Sequence, residues 1–314
     1  MIPAAFDYEV AESADHAVSL LGEHGEDAKL LAGGHSLLPL MRLRLAAPSV
    51  LIDIGRIGEL NYVRDGGDHI AVGALTTMEE AHFSELLERD CPILAHTAGE
   101  VGDPQVRHRG TVGGTVAHAD PASDIPTVLL ALDAELVVQG PDGTRTVPAR
   151  DFWKGIFESD LGPQDLLTEI RVPKLGGAGW SYQKFHPRAQ DWAIVGVAAV
   201  ASNGGVKVAL TNMGEKPLRA GAVEEALASG ADPAAAAEQV LEGTSPPNDA
   251  LASSEYRTHL AKVLTRRALE AARSSRPWPP GPTRRPRPSR CWRVPAPRTT
   301  PWHHRSTVST WPRC

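Results

Sequence analysis

The chain has 314 residues, 42% hydrophobic and 22% charged, which excludes a disordered or fibrous chain and gives room for two domains of ordinary size. Its net charge of −6 hides a split. Residues 273–314 hold ten Arg and no acidic residue, so residues 1–272 carry 22 basic against 38 acidic residues, a net of −16 that argues against nucleic acid as the partner. Of the three cysteines only Cys91 precedes residue 291, which excludes a disulfide framework and an internal cysteine metal cluster. There is no basic and apolar leader at the start and no apolar run that approaches a membrane span, so the expected location is the cytoplasm.

Residues 13–25 (SADHAVSLLGEHG) predict a short helix with Ser13 as N-cap and Gly25 as stop. Residues 28–32 (AKLLA) are a short buried strand running into Gly33-Gly34, and residues 36–41 begin a helix. A glycine turn between strand and helix offers N–H groups and a helix dipole to a phosphate. Residues 50–54 and 69–72 are further short strands, and residues 77–88, with Met78, Ala81, Leu86 and Leu87 at helical spacing, predict one helix before another at 92–101. Residues 109–124, RGTVGGTVAHADPASD, hold three glycines, two threonines and only Val112 and Val116 as β-branched hydrophobes. So little core-forming material predicts a backbone-lined loop whose free N–H groups face an anion. A helix is expected at 125–133, a β-hairpin from 134–138 and 144–147 around Pro141-Asp142-Gly143, and a strand at 165–173.

The glycines at 176, 177 and 179 predict a linker and a domain boundary. Beyond it, strands are expected at 180–185, at 192–202 headed by Trp192, and at 206–211, then helices at 222–229 and 256–272. Without strict βαβ alternation the fold class is α+β. From residue 273 the chain has ten of the 26 prolines, four of the seven tryptophans and no Leu, Ile, Phe or Met. That composition predicts a disordered tail, read either as a basic interaction tail or as the product of a frameshift.

Alone, Gly33-Gly34 reads equally as a structural turn, and Asp124 as a helix cap or as the acceptor for a sugar hydroxyl. Thr111 to Thr115 (TVGGT) is the stronger signal, since its glycines allow close approach and its threonines add hydroxyls. No GxGxxG, HExxH or Ser-His-Asp set is present, and no metal ligand is assigned; His118 is read as a loop residue without chemistry.

Together, AGGHSLLPLMRLRLA at 32–46 and RGTVGGTVAHADPASD at 109–124 closely resemble the FAD-binding medium subunits of molybdenum hydroxylases, the carbon monoxide dehydrogenase and xanthine dehydrogenase group, over about residues 1–272. The resemblance implies a two-part FAD-binding domain of the vanillyl-alcohol oxidase-like (PCMH) type at 1–175, with parts at about 1–55 and 56–175, then a small α+β domain at 176–272. It implies that Lys29, Ala32, Gly33, Gly34, His35 and Ser36 hold the FAD pyrophosphate from one side, and Thr111, Gly113, Gly114 and Thr115 from the other. Asp124 would serve the adenosine side, Leu167 would give an apolar contact, Lys184 would lie near the flavin, and Trp192 would stand where relatives place a tyrosine against the isoalloxazine. The implied partners are a large subunit with the molybdenum cofactor and a small [2Fe-2S] subunit. Electrons would pass through the small subunit to FAD and on to quinone, oxygen or NAD, in the cytoplasm or peripherally at the inner membrane. Other readings are a free-standing flavin oxidase with FAD attached through His35, and a cofactor-free scaffold.

Overall fold

Short apolar strands that alternate with helices in the first fifty residues build a small parallel sheet. In the computed structural model, which describes residues 2–202 and 204–274, β1 (Asp7–Val10) is followed by α1 (Ala14–His24), β2 (Ala28–Leu31), α2 (Leu37–Arg42) and β3 (Val50–Asp53). β3 lies between β1 and β2, parallel to both. α1 starts as its sequence predicts, the Ser13 hydroxyl accepting the His16 N–H at 3.1 Å, and it buries Ala17, Val18, Leu20 and Leu21 against this sheet.

The middle of the chain forms a five-stranded antiparallel sheet. β4 (Val63–Asp65) and β5 (His69–Gly73) precede five short helices: α3 (Met78–His82), α4 (Glu85–Asp90), α5 (Pro92–Gly99), α6 (Pro104–Arg107) and α7 (Val112–His118). Then come α8 (Asp124–Ala131), β6 (Glu135–Gly140), β7 (Gly143–Pro148), α9 (Ala149–Phe152), the ribbon of β8 (Trp153–Gly155) and β9 (Glu158–Ser159), and β10 (Leu166–Pro173). The sheet order is β4-β5-β10-β6-β7. All eight residues of α8 are buried, so the helix is enclosed on every side and its N-terminus is held inside the molecule.

The remaining residues make a four-stranded antiparallel sheet backed by helices. Its strands are β11 (Gly179–Phe185), β12 (Val195–Ser202), β13 (Gly205–Thr211) and β14 (Leu218–Arg219), in that order. α10 (Gly221–Ala228), α11 (Pro233–Ala237) and α12 (Ser254–Arg273) follow, and α12 buries Leu260, Leu264, Ala268 and Leu269 in one core with Val195, Val197 and Leu210. Mixed helix and sheet without a doubly wound order is the expected α+β class.

Three expectations fail locally. Residues 77–88 are two helices, because Ser84 caps a new one by accepting the Leu87 N–H at 3.3 Å. Residues 112–118, inside the stretch expected to be loop, are a helix: Thr111 caps α7, and Val112 and Val116, four apart, are both fully buried on one helix face. Trp192 does not head a buried strand; β12 begins at Val195, and Trp192 is 56% exposed. The expectations for the tail and for Asn203 fall outside the described residues, Arg273 and Ser274 apart.

Candidate cofactor site

A cavity of about 890 Å³ runs between the end of β2, α7, the N-terminus of α8 and the connection from β11 to β12. All fourteen residues singled out from the sequence line it: Lys29, Ala32 to Ser36, Thr111, Gly113, Gly114, Thr115, Asp124, Leu167, Lys184 and Trp192. The volume lies in the range of small-molecule sites, and Leu31, Leu75 and Leu167 give part of the wall an apolar surface.

The two glycine-rich segments meet at Gly33. An added Cβ there would lie 2.1 Å from the Arg109 carbonyl oxygen, so backbone touches backbone and only glycine fits. Gly34 turns the chain with φ of 76°. The N–H groups of residues 33–37 donate to no protein acceptor among the described residues, which leaves a row of five free donors beside the cavity.

The second segment is different. Val112 N–H donates to the Thr76 carbonyl at 2.9 Å, Gly113 N–H to Ala74 at 2.8 Å, Gly114 N–H to Thr111 Oγ1 at 3.1 Å and Thr115 N–H to the Thr111 carbonyl at 3.2 Å. The amides of 112–115 are already used, which corrects the expectation of a row of free N–H groups on both sides. What it offers is close approach at Gly114 and the Thr115 hydroxyl. Gly113 is required by packing, since its Cβ would meet Ala74 O at 2.6 Å.

Asp124 is not a cap. Ser123 holds the N-cap position of α8, and the buried Asp124 carboxylate takes the Tyr182 hydroxyl at 2.5 Å and the Lys184 ammonium at 2.8 Å. Lys184 also donates to the Glu100 carbonyl at 3.0 Å, and its side chain is 4% exposed. Burial pushes the Asp124 carboxyl up, and the Lys184 charge, its hydrogen bond and that of Tyr182 pull it back. Burial and the facing carboxylate push the Tyr182 phenol well up, so it stays a donor. Direct contact places Asp124 and Lys184 at one point of the cavity wall.

One residue read as a loop position and one not singled out at all stand at the site. His118 ends α7 and lines the cavity, with its ring 5.0 Å from Phe157. Tyr182 stands behind the wall; the signal for it was the spacing of two to Lys184, which puts both on one face of β11. The row of free amides suits a pyrophosphate, and the glycines leave the space a ring system or phosphate needs, so the residues present fit a flavin dinucleotide.

Residues 4–175 match the FAD binding domain in molybdopterin dehydrogenase, and residues 180–272 match the CO dehydrogenase flavoprotein C-terminal domain. The chain is 41% identical over 282 residues to the carbon monoxide dehydrogenase medium chain of Hydrogenophaga pseudoflava, covering 87% of this chain and 98% of that one. It is 38% identical to the glyceraldehyde dehydrogenase medium chain of Sulfolobus acidocaldarius, covering 86% and 99%. Its fold matches a structure of the Hydrogenophaga pseudoflava carbon monoxide dehydrogenase with a TM-score of 0.85 at 42% identity, over 88% of this chain and 99% of that one. The quinoline 2-oxidoreductase of Pseudomonas putida 86 is matched with a TM-score of 0.82 at 31% identity, over 88% and 99%. The chain therefore belongs to the family of FAD-binding medium subunits of molybdenum hydroxylase-type dehydrogenases: it is an oxidoreductase subunit, and its cofactor is FAD.

Proposed function

We propose that this chain is the electron-transfer subunit of a heteromeric molybdenum hydroxylase, passing electrons from the iron–sulfur clusters of a small subunit to quinone, oxygen or NAD. Substrate would be oxidised on a separate molybdenum subunit. FAD supplies the exchange of electrons between one-electron clusters and a two-electron acceptor. The supporting observation is a cavity with five amides on one side that have no protein acceptor among the described residues, and the Asp124–Lys184 pair at another point of its wall. The amides of residues 33–37 hold the pyrophosphate without a long cation, which suits so acidic a body. Thr111, Gly114 and Thr115 close over it from the other side. We place Asp124 and Lys184 together at the flavin end, since Lys184 and Trp192 flank the same connection between β11 and β12. Lys29 then falls toward the adenosine end, and Leu167 packs against the cofactor between them. The FAD-binding part ends near residue 175 in this reading.

Relatives named for carbon monoxide, glyceraldehyde and caffeine are 41%, 38% and 33% identical to this chain, so subunits of this kind occur in enzymes named for unlike compounds. That supports a substrate choice made on another chain. Among the described residues no group of three His, Cys, Asp or Glu could hold a metal, and no helix is long and apolar enough to cross a membrane. Purification of the native assembly through this chain tests the reading. Co-purifying subunits that carry molybdenum and [2Fe-2S] clusters are expected, with flavin released on acid precipitation. A chain that purifies alone, keeps its flavin in the acid pellet and oxidises a donor unaided would overturn it in favour of a free-standing oxidase.

A further inference from the structure

Tyr182 is 6% exposed and does not line the cavity, yet its hydroxyl reaches a carboxylate that does. The strand opposite is shaped around it. Gly196, paired with Lys184 across β11 and β12, is a glycine inside a strand, where glycine is unfavourable. A Cβ at Gly196 would stand 2.8 Å from the Tyr182 hydroxyl and 2.8 Å from Thr211 Oγ1, so the missing side chain is the room the phenol oxygen occupies. A phenylalanine would fill the same ring volume; the hydroxyl serves the carboxylate.

Asp124 thus takes one donor on each oxygen, Tyr182 on Oδ1 and Lys184 on Oδ2. The charged groups acting on it are Lys184 from β11 and Glu100 from the residue after α5; Tyr182 is neutral. A buried carboxylate with a lost donor takes up a proton more readily. If Asp124 is protonated, the Lys184 ammonium is left uncompensated at the wall.

We infer that Tyr182 is a positioning residue, which through Asp124 holds the carboxylate–ammonium pair in its charged form and so fixes the charge that the cavity wall presents to the flavin. The inference rests on the placement of Asp124 and Lys184 at the flavin end proposed above.

The full chain loaded with FAD carries the test. The midpoint potential of the bound flavin is measured by dye equilibration from acid to alkaline pH for wild type, Tyr182→Phe, Asp124→Asn and the double variant. Tyr182→Phe keeps its FAD and shows a potential above wild type at acid pH, because an uncompensated cation favours gain of electrons. The gap closes as pH rises and Asp124 ionises in both proteins. In the Asp124→Asn background, which has no proton to take up, Tyr182→Phe shifts nothing. Coincident curves, a gap equal at all pH values, or a gap that persists with Asn at 124 would overturn the role, and a lowered melting temperature without a potential shift would mark Tyr182 as structural only. Should Tyr182→Phe fail to fold, 3,5-difluorotyrosine at position 182 keeps the hydroxyl and strengthens its donation. The acid-side rise in potential then moves to lower pH than in wild type, and an unmoved curve overturns the inference. Tyr182→Phe chain that binds FAD with no pH-dependent gap from wild type defeats this inference alone, whereas wild-type chain that takes up no FAD defeats the cofactor placement beneath it.

Discussion

The turn at residues 33–37 and the segment at 111–115 look alike in composition and do different physical work. In the first, glycine frees the backbone: the chain bends at Gly34 and five N–H groups remain without acceptors among the described residues. In the second, glycine lets a helix pack: Gly113 lies against Ala74, and the amides of 112–115 are bonded to Thr76, Ala74 and Thr111. A Gly-Gly pair beside a hydroxyl residue therefore does not by itself mean an anion cradle. What separates the two is where the displaced hydrogen bonds go.

The contact between the two segments gives the most severe test. Gly33→Ala drives a methyl group into the Arg109 carbonyl, a backbone atom that cannot rotate away. Overpacking of this kind costs about 1–3 kcal/mol of stability. Parting the segments also displaces the free amides; losing two charge-assisted bonds of about 1.5–3 kcal/mol each weakens FAD binding by roughly a hundredfold or more. Thermal melts of the apo chain and flavin retention on ultrafiltration read the two effects. An alanine variant with normal FAD content would show that the two segments do not act as a paired grip.

Neighbouring glycines in α7 should separate packing from binding. Gly113→Ala meets Ala74 O at 2.6 Å and loses about 1–3 kcal/mol of apo stability. Gly114 is exposed toward the cavity, and its Cβ would meet only Thr111 Oγ1, at 2.7 Å. Gly114→Val is expected to lose no more than a cap, about 1 kcal/mol, while FAD content falls to background. Retention of stoichiometric FAD by Gly114→Val would remove this face of α7 from the site.

Thr111→Ala asks what the hydroxyl is for. If it is a cap, as its 3.1 Å bond from Gly114 N–H indicates, apo stability drops by about 1 kcal/mol and Thr111→Ser restores it. Unchanged apo melting with weaker FAD binding would instead make the hydroxyl a ligand contact.

Much of the framework was legible because it obeys local rules. Ser13 and Gly25 bracket α1, and the hairpin of β6 and β7 turns within Gly140 to Gly143. The candidate site residues were legible as a set in one respect: the two motifs and the resemblance they carry point to one ligand, and these residues line one cavity. What could not be read were partnerships made by tertiary contact. The use of the α7 amides depends on Thr76 and Ala74, some forty residues earlier in the chain. The Asp124–Lys184 contact joins residues sixty positions apart, and no spacing rule distinguishes it from two separate cofactor contacts. The helical character of 112–118 was legible in the Val112 and Val116 pair, but glycine content outweighed a four-residue spacing seen only once.

The smallest expected effect lies at the far end of α7, where the second segment carries a titrating group. Burial pushes the His118 pKa below its ordinary 6.5, and Asp120 offsets this in part. The unfolded chain therefore binds a proton as pH falls through about 6.5, while the folded chain does so only at lower pH. Over that interval the unfolded state holds more protons, so His118 makes stability fall as the pH is lowered. Asp124 works in the opposite sense, because its raised pKa lets the folded state bind a proton first. The two are separated by subtraction: apo His118→Gln should lose less stability than wild type when the pH is lowered from about 7.5 to about 5.5, with Gln at exposed His35 as the control for a change on the first segment. Equal losses in wild type and His118→Gln would mean that the ring is hydrated in the folded protein, and that the end of α7 is open to solvent where its start at Thr111 is closed.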